Sequence, residues 1–310
     1  MQKAKPSSTR KPQNGNQNQT EAVAKPGQVI EELRHGQSIE LLKELHILTR
    51  EGKLNQDTRR KLKQVYHLYQ FVEPLLQEVA RAQASPTLAD HGAGKSYLGF
   101  ILYDLFYRVA HPEATHGHVY GIETRAELVD KSRLLADRLG FERMSFLNLS
   151  VQQATTSTEL PASIDIVTAL HACDTATDDA IAFGLAKNAS HMVLVPCCQA
   201  EVAGFLKKAK ALNLAKTPLA ELWRHPLHTR EFGSQITNVL RCLQLEANGY
   251  NVTVTELVGW EHSMKNELIL ASRPAAPGKA KMQAAQQRLR DVLGELGLQE
   301  LTVRFGSAAA

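Results

Sequence analysis

Apolar positions along the chain change their period twice, and the changes divide it. Residues 1–27 are rich in Gln, Asn, Lys and Pro and hold almost no large apolar side chain. Such a segment cannot offset its ordering entropy by burial, so it is expected to be a disordered basic tail. Between 28 and 49 apolar residues return at Ile30, Leu33, Ile39, Leu41, Leu42, Leu45 and Leu48, which suggests one or two short helices. From Asp57 onward Leu62, Val65, Tyr66, Tyr69, Val72, Leu76 and Val79 recur every three or four residues. That is the face of an amphipathic helix, with Pro74 expected to kink or break it. Residues 28–85 therefore read as a small helical N-terminal module.

After Ser85-Pro86 short apolar runs alternate with longer helical stretches. Strands are expected at Thr87–Ala89, His118–Ile122, Ser145–Leu149, Ile164–Leu170, Met192–Pro196, Tyr250–Val258 and Glu267–Ala271. Helices are expected at Lys95–Ala110, Arg125–Leu139, Thr175–Lys187, Gln199–Leu212 and Glu231–Asn248. Alternating strands and helices imply a parallel sheet with right-handed crossovers. The last two strands have no helix between them, so they form a hairpin and bring in one antiparallel strand. The expected fold is α/β: a seven-stranded, doubly wound, mostly parallel, Rossmann-like sheet over residues 86–272, with an insert near 215–248. Residues 273–310 open on a Pro- and Gly-containing linker, and Met282, Leu289, Val292, Leu293 and Leu296 then mark a C-terminal helix.

Composition narrows the class. Apolar residues make up 43% and charged residues 22%, ordinary values for a soluble globular protein. No apolar run approaches the roughly 18–20 residues of a membrane span, and no apolar stretch of a secretory signal follows the N-terminus. A cytoplasmic location without membrane contact is the expectation. The cysteines are Cys173, Cys197, Cys198 and Cys242. None has CxxC spacing, so reduced thiols and no metal site are expected.

Charge is uneven. The net +4 divides into +4 over residues 1–27, +4 over residues 50–63 and +3 from Arg273 onward, which leaves −7 for the remainder. The second cluster holds Arg50, Lys53, Arg59, Arg60, Lys61 and Lys63. Basic flanks of this kind attract polyanions without sequence preference. Any single cluster also reads as ordinary solvated surface.

Three segments carry candidate chemistry. Asp90-His91-Gly92-Ala93-Gly94-Lys95-Ser96 lies between a strand and a helix. Glycines there let the backbone turn sharply and approach a ligand, and the helix start presents free N–H groups. Glu123 ends the next strand, where a carboxylate can take both hydroxyls of a ribose. The same loop fits a loose phosphate-binding pattern, Ala89-x4-Gly94-Lys95-Ser96, which would make the protein an ATPase or kinase. Alanine at 89, a weakly apolar strand and a carboxylate at Asp90 count against that reading. The fourth strand runs into His171-Ala172-Cys173-Asp174-Thr175-Ala176-Thr177-Asp178, and the fifth ends in Pro196-Cys197-Cys198-Gln199. Both lie at carboxyl ends of central strands, the rim where such sheets bind ligands. Taken singly, Asp174, Thr175 and Thr177 are also good helix caps.

Asp-x-Gly-x-Gly-Lys-Ser, Ala-Cys-Asp-x-x-Thr-Asp and Pro-Cys-Cys, in that order, resemble a group of class I S-adenosylmethionine-dependent methyltransferase domains. The group includes the methyltransferase-like part of the glutathione S-transferase C-terminal-domain-containing protein and, more distantly, acceptor-stem tRNA 2′-O-methyltransferases. The resemblance covers about Lys61 to Ser272. It implies a methyl donor held by Asp90, Gly92, Gly94, Lys95, Ser96, Glu123, Asn148 and His171, and RNA as substrate class. RNA would be held by the basic residues Arg59, Arg60, Lys61 and Lys63. His171, Asp174 and Asp178 are candidate general bases, and Cys197 or Cys198 a candidate covalent nucleophile or plain packing residue. The insert residues Arg224, His225, His228 and Arg230 lie where such enzymes often place substrate recognition, and Lys265-Asn266 precedes the last strand. Open alternatives are a small-molecule or protein methyltransferase, the phosphate-loop ATPase, and a non-catalytic RNA-binding module.

Overall fold

A computed structural model describes residues 32–83, 85–111, 117–170, 172, 174–196, 199–209, 216–257 and 267–306. Seven strands form one sheet: β1 Thr87–His91, β2 His118–Ile122, β3 Met144–Leu147, β4 Ile166–Leu170, β5 His191–Val195, β6 Asn251–Glu256 and β7 Glu267–Ser272. Their order is β3-β2-β1-β4-β5-β7-β6. All neighbours are parallel except β7, which runs antiparallel to both β5 and β6. The strand order reverses between β1 and β4, where Asp90 sits level with Thr168. Connections leave that point in opposite directions, which opens a crevice at the carboxyl ends of the two strands.

The expected strands are observed, with small shifts at their ends. The consequential one is β1, which runs on through Asp90 and His91 instead of stopping at Ala89. Both residues thus have strand geometry, and their side chains project to opposite faces of the sheet.

Helices cover both faces. On one lie α1 (Ile39–Glu44), α2 (Gln56–Ala82), α3 (Tyr97–Leu102), a wider π-helical continuation (Tyr103–Ala110) and α4 (Ala126–Leu139). Their buried Leu42, Leu68, Leu76, Phe100 and Phe106 form one core with Leu88, Val119 and Ile166 of the sheet. The opposite face packs α5 (Val151–Thr156) and α6 (Thr175–Ala186) through Ala154, Ile181 and Phe183 against Ala89, Val167 and Leu194. A third cluster joins α7 (Glu201–Ala209), α8 (Pro226–Ala247), α9 (Lys279–Glu295) and α10 (Thr302–Phe305) through Leu206, Leu240, Leu289 and Phe305. Truncating a fully buried leucine such as Leu76 costs about 2–5 kcal/mol, because the cavity left behind closes only in part.

Pro74 does not break α2, which continues through it. Pro74 and Gln70 both lie on the exposed side, so the carbonyl that loses its intrahelical donor faces water. α2 starts on a capping box in which Asn55 accepts from Thr58 N–H at 2.9 Å and the Thr58 hydroxyl receives Asn55 N–H at 2.8 Å. The N-terminal helices are tied to the sheet layer by buried Asp104, which accepts from Ser38 N–H at 3.0 Å and pairs with Arg108. Burial pushes the Asp104 carboxyl above its ordinary range, opposed by these bonds.

α5 has no counterpart in the apolar pattern, since Val151–Thr156 is mostly polar and nucleated by a Ser150–Gln153 capping box. α8 begins at Pro226, five residues before the expected start, and the whole of this long helix lies within the region read as an insert. Before it, Pro218–Trp223 forms a 3-10 helix. No helix among the described residues is long and apolar enough to cross a membrane.

Candidate active site

The loop after β1 is shaped by three demands on its backbone. Gly92 and Gly94 have φ of +66° and +58°, and Ser96 follows at +49°. Glycine meets the first two without strain, whereas Ser96 is held there by its side chain. Its hydroxyl is fully buried and donates to Asp90 Oδ2 at 3.2 Å, while the Thr168 hydroxyl donates to Asp90 Oδ1 at 3.0 Å. The Gly99 N–H of α3 also bonds Asp90. Burial raises the Asp90 carboxyl to about 6, and these three hydrogen bonds restrain the rise. Asp90 and Ser96 therefore work inside the loop, holding it on the start of α3. Both side chains are engaged within the protein, whereas the expectation was that both would help hold a cofactor, Asp90 directly or through water. Lys95 is exposed on the loop surface.

Gly92 and Gly94 do line an open face. Among the described residues, a Cβ on Gly92 would find only Ala172 within 4 Å, and one on Gly94 only Arg125 Nη2, each at 3.7 Å. The loop is stitched to the end of β2 by Ala93 N–H on the Ile122 carbonyl at 3.1 Å and by Gly94 N–H on Glu123 Oε2 at 2.8 Å. Glu123 is 7% exposed and also accepts from Arg125, from its N–H, Nε and Nη2, each at 3.1 Å. Burial pushes the Glu123 carboxyl upward, but the bonds from Arg125 and Gly94 outweigh it and hold it at about 2. Asn148, after β3, is exposed and donates to the Glu123 carbonyl at 3.0 Å. The structure thus brings Gly92, Gly94, Glu123 and Asn148 together at the carboxyl ends of β1, β2 and β3.

His91 points away from Asp90, toward Phe183 of α6, with ring centroids 5.7 Å apart. It is buried and neither ring nitrogen has a hydrogen-bond partner among the described residues. Burial lowers its pKa to about 4, against a smaller upward pull from Glu123.

The segment after β4 is reached through Ala172 and Asp174–Asp178; His171 and Cys173, like Cys197, Cys198, Lys265 and Asn266, lie outside the described residues. Asp174 has φ +49° and ψ −118°, a conformation ordinarily left to glycine. It does not cap its own helix. Its Oδ1 instead accepts from Ala200 N–H at 3.1 Å and Glu201 N–H at 3.3 Å, capping α7 and tying the β4 rim to the β5 rim. Thr177 donates to the Ala172 carbonyl at 2.7 Å.

Asp178 is not a free base. Its Oδ1 receives Arg241 Nε at 2.6 Å, and Arg241 is fully buried. Arg241 also donates to the Asp174 carbonyl at 2.7 Å and to Asn238 Oδ1 at 3.1 Å. Asn238 in turn meets Gln199 Nε2 at 3.2 Å and Glu267 Oε2 at 2.7 Å. One polar network therefore braces the carboxyl ends of β4 and β5 and the start of β7. This corrects the reading of Asp178 as a candidate base: its carboxylate neutralises a buried guanidinium, and neither can leave without stranding the other charge. The period of α8 conceals Arg241, which stands among Val239, Leu240, Cys242 and Leu243 and reads as core.

Elsewhere, Arg224 pairs with Glu221 and Arg230 with Glu231, all exposed, while His225 precedes α8 and stacks edge-on with His228 at 5.2 Å. Among the described residues no group of three or more His, Cys, Asp and Glu is placed to hold a metal ion.

A seven-stranded sheet with β7 antiparallel, a glycine loop after β1 and an acid ending β2 is the arrangement of class I methyltransferases. Residues 60–204 match the family model of a methyltransferase domain. Over those residues the chain therefore reads as a methyltransferase domain. No curated protein sequence matches it. Among solved structures it is similar to a magnesium protoporphyrin IX methyltransferase from Synechocystis PCC 6803, with 14% identity, 76% of this chain and 93% of that one covered, and a TM-score of 0.41. A Streptococcus thermophilus rRNA methylase follows at 9% identity, 66% and 94% coverage and a TM-score of 0.39. M. capricolum TrmK has 11% identity, 72% and 96% coverage and a TM-score of 0.36. Likenesses this distant say nothing about substrate.

Proposed function

We propose that this methyltransferase uses S-adenosylmethionine as its methyl donor and acts on RNA, with the donor seated on Gly92, Gly94, Glu123 and Asn148. The observation that carries the donor site is the open glycine face beside an ionised Glu123. Two glycines leave the loop backbone uncovered on one side, and a carboxylate held at about 2 stays charged, the form that accepts from hydroxyls. When bound, the donor supplies an electrophilic methyl group on a sulfonium. The chain's own work is alignment, since in-line displacement gains most of its rate from orientation. Gly92 and Gly94 admit the methionine part closely, and Glu123 fixes the ribose. Asp174, whose Oδ1 caps α7, keeps Oδ2 for the acceptor or its proton.

The phosphate-loop alternative loses its magnesium ligand. The Ser96 hydroxyl is buried under the loop on Asp90, and that carboxylate would oppose a phosphate.

Charge supports RNA as the acceptor. Within α2, Arg59 pairs with Glu32 and Lys61 with Asp57. Arg60 and Lys63 are exposed with no ion pair among the described residues, which leaves them for phosphates. Transfer of labelled methyl from S-adenosylmethionine to total RNA of cells lacking the protein, followed by nucleoside mass spectrometry, tests the reading. One modified nucleoside is expected. Label entering only protein or small molecules would replace RNA with those classes. RNA affinity should weaken linearly in log–log terms with salt. Replacing Arg60 and Lys63 by Gln should flatten that slope by about 0.7–0.9 for each phosphate no longer neutralised.

A further inference from the structure

A carboxylate has about four acceptor positions, and strong donors fill those of Glu123. Oε2 receives Gly94 N–H at 2.8 Å and Arg125 Nη2 at 3.1 Å, while Oε1 receives Arg125 N–H and Nε, both at 3.1 Å. The Thr124 hydroxyl adds a longer bond to Oε1 at 3.3 Å. The ribose of the donor would bring two further hydroxyl donors to the same group. Something has to leave.

The groups around Glu123 differ in how firmly they are held. Gly94 N–H belongs to a loop pinned by its positive φ and by the neighbouring Ala93 bond to Ile122. Arg125 N–H belongs to the N-cap residue of α4, whose carbonyl already serves Leu128 and Val129. The guanidinium is different: the Arg125 side chain is 60% exposed and ends a flexible stem. It also lies on the ligand side of the loop, with Nη2 3.7 Å from where a Cβ of Gly94 would stand. Its two bonds to Glu123 equal in number the two bonds a ribose diol would make.

We propose that the Arg125 side chain is a displaceable occupant of the ribose subsite, competing with the donor for Glu123 and thereby setting how tightly the donor binds. The inference rests on the donor site described above. In the free protein the guanidinium keeps Glu123 ionised and its acceptor positions satisfied. On binding, the diol takes over both bonds and the guanidinium moves into water. An ion pair whose cation stands in solvent, as Arg125 does, is worth little, so the exchange is cheap but not free.

The consequence is opposite in sign to the usual effect of deleting a polar residue at a binding site. Isothermal titration of the full chain with S-adenosylhomocysteine, a zwitterion of zero net charge near neutral pH, tests it. Arg125→Met should bind about two- to fivefold tighter than wild type. Wild-type affinity should rise as sodium chloride goes from about 0.05 to about 0.5 M, because salt weakens the internal ion pair, while Arg125→Met should respond much less. The exposed position predicts unchanged folding by circular dichroism. Weaker binding by Arg125→Met would mean that the guanidinium holds the ligand, and equal binding with equal salt response would mean that it does not compete; either overturns the inference. Glu123→Gln separates the two levels. If wild type binds and Glu123→Gln does not, the donor site stands whatever Arg125 does. If wild type itself does not bind S-adenosylhomocysteine, the donor site fails and this inference with it.

Discussion

Replacing His91 by Phe, and separately Asp90 by Asn, should expose two opposed titrations hidden in one dipeptide. Asp90 is raised from 3.8 to about 6 by burial, so the folded protein holds a proton that the unfolded chain has released between those values. Its contribution to stability is therefore fully present below about pH 4 and is lost as pH rises through 6. His91 is lowered from 6.5 to about 4, again by burial, so the unfolded chain binds a proton that the folded one refuses. Its neutral-state stability is present above about pH 6.5 and is lost as pH falls through 4. At 1.36 kcal/mol per pKa unit each effect amounts to about 3 kcal/mol, and they nearly cancel in the wild type. Urea denaturation between about pH 4 and 8 measures them as differences from wild type, in which all other titrating groups drop out. His91→Phe, which keeps the packing on Phe183, should gain about 3 kcal/mol relative to wild type as pH falls from 6.5 to 4. Asp90→Asn should lose an advantage of similar size over the fall from 6 to 4. Two differences that stay flat across this range would refute the burial argument for both residues. Two slopes of the same sign would refute the opposition.

Three further outcomes test the packing around the site. Arg241→Ala should cost about 3–5 kcal/mol in urea denaturation by leaving buried Asp178 unpaired, and a double variant with Asp178→Ala should recover part of that loss. Asp174→Ala should cost about 1 kcal/mol or more through the lost α7 cap, whereas Asp174→Gly should cost less, because glycine tolerates the φ of +49°; thermal melts of the pair decide this. Gly121→Ala should destabilise by about 1–3 kcal/mol, since its Cβ would stand 2.5 Å from the Phe146 ring, and the melting temperature should fall by several degrees.

The sheet was legible because its signals are local. Val119, Ile122, Val167, Leu194 and Ile269 stand in short apolar runs separated by helical periods, and a parallel sheet buried on both faces leaves that imprint. α5 was not legible, because a Ser–Gln capping box and six mostly polar residues carry no apolar period. Glycine spacing and the acid at 123 pointed to the proposed seat of the donor. They could not reveal which way Asp90 and Ser96 point, because β1 extends two residues further than its apolar run, so strand alternation directs Asp90, and the Asp90 carboxylate then draws in the Ser96 hydroxyl. Asp178 and Arg241 are 63 residues apart, and no local pattern announces a pair at that separation.

The positions that eluded the pattern share a physical cause. Two of the non-glycine residues with positive φ, Ser96 and Asp174, stand at the carboxyl ends of the central strands β1 and β4. Each such conformation costs on the order of 1–3 kcal/mol unless its surroundings enforce it. Ser96 is enforced by a buried hydrogen bond to Asp90, which Thr168 of β4 also holds, and Asp174 by the α7 amides and by Arg241 on its carbonyl. The bend that follows each strand thus depends on polar groups supplied by the other strand or by a distant helix. A rim assembled in this way holds its shape only when the whole sheet is in register. That makes the rim a product of tertiary structure, although the glycines that mark it are read from seven consecutive residues.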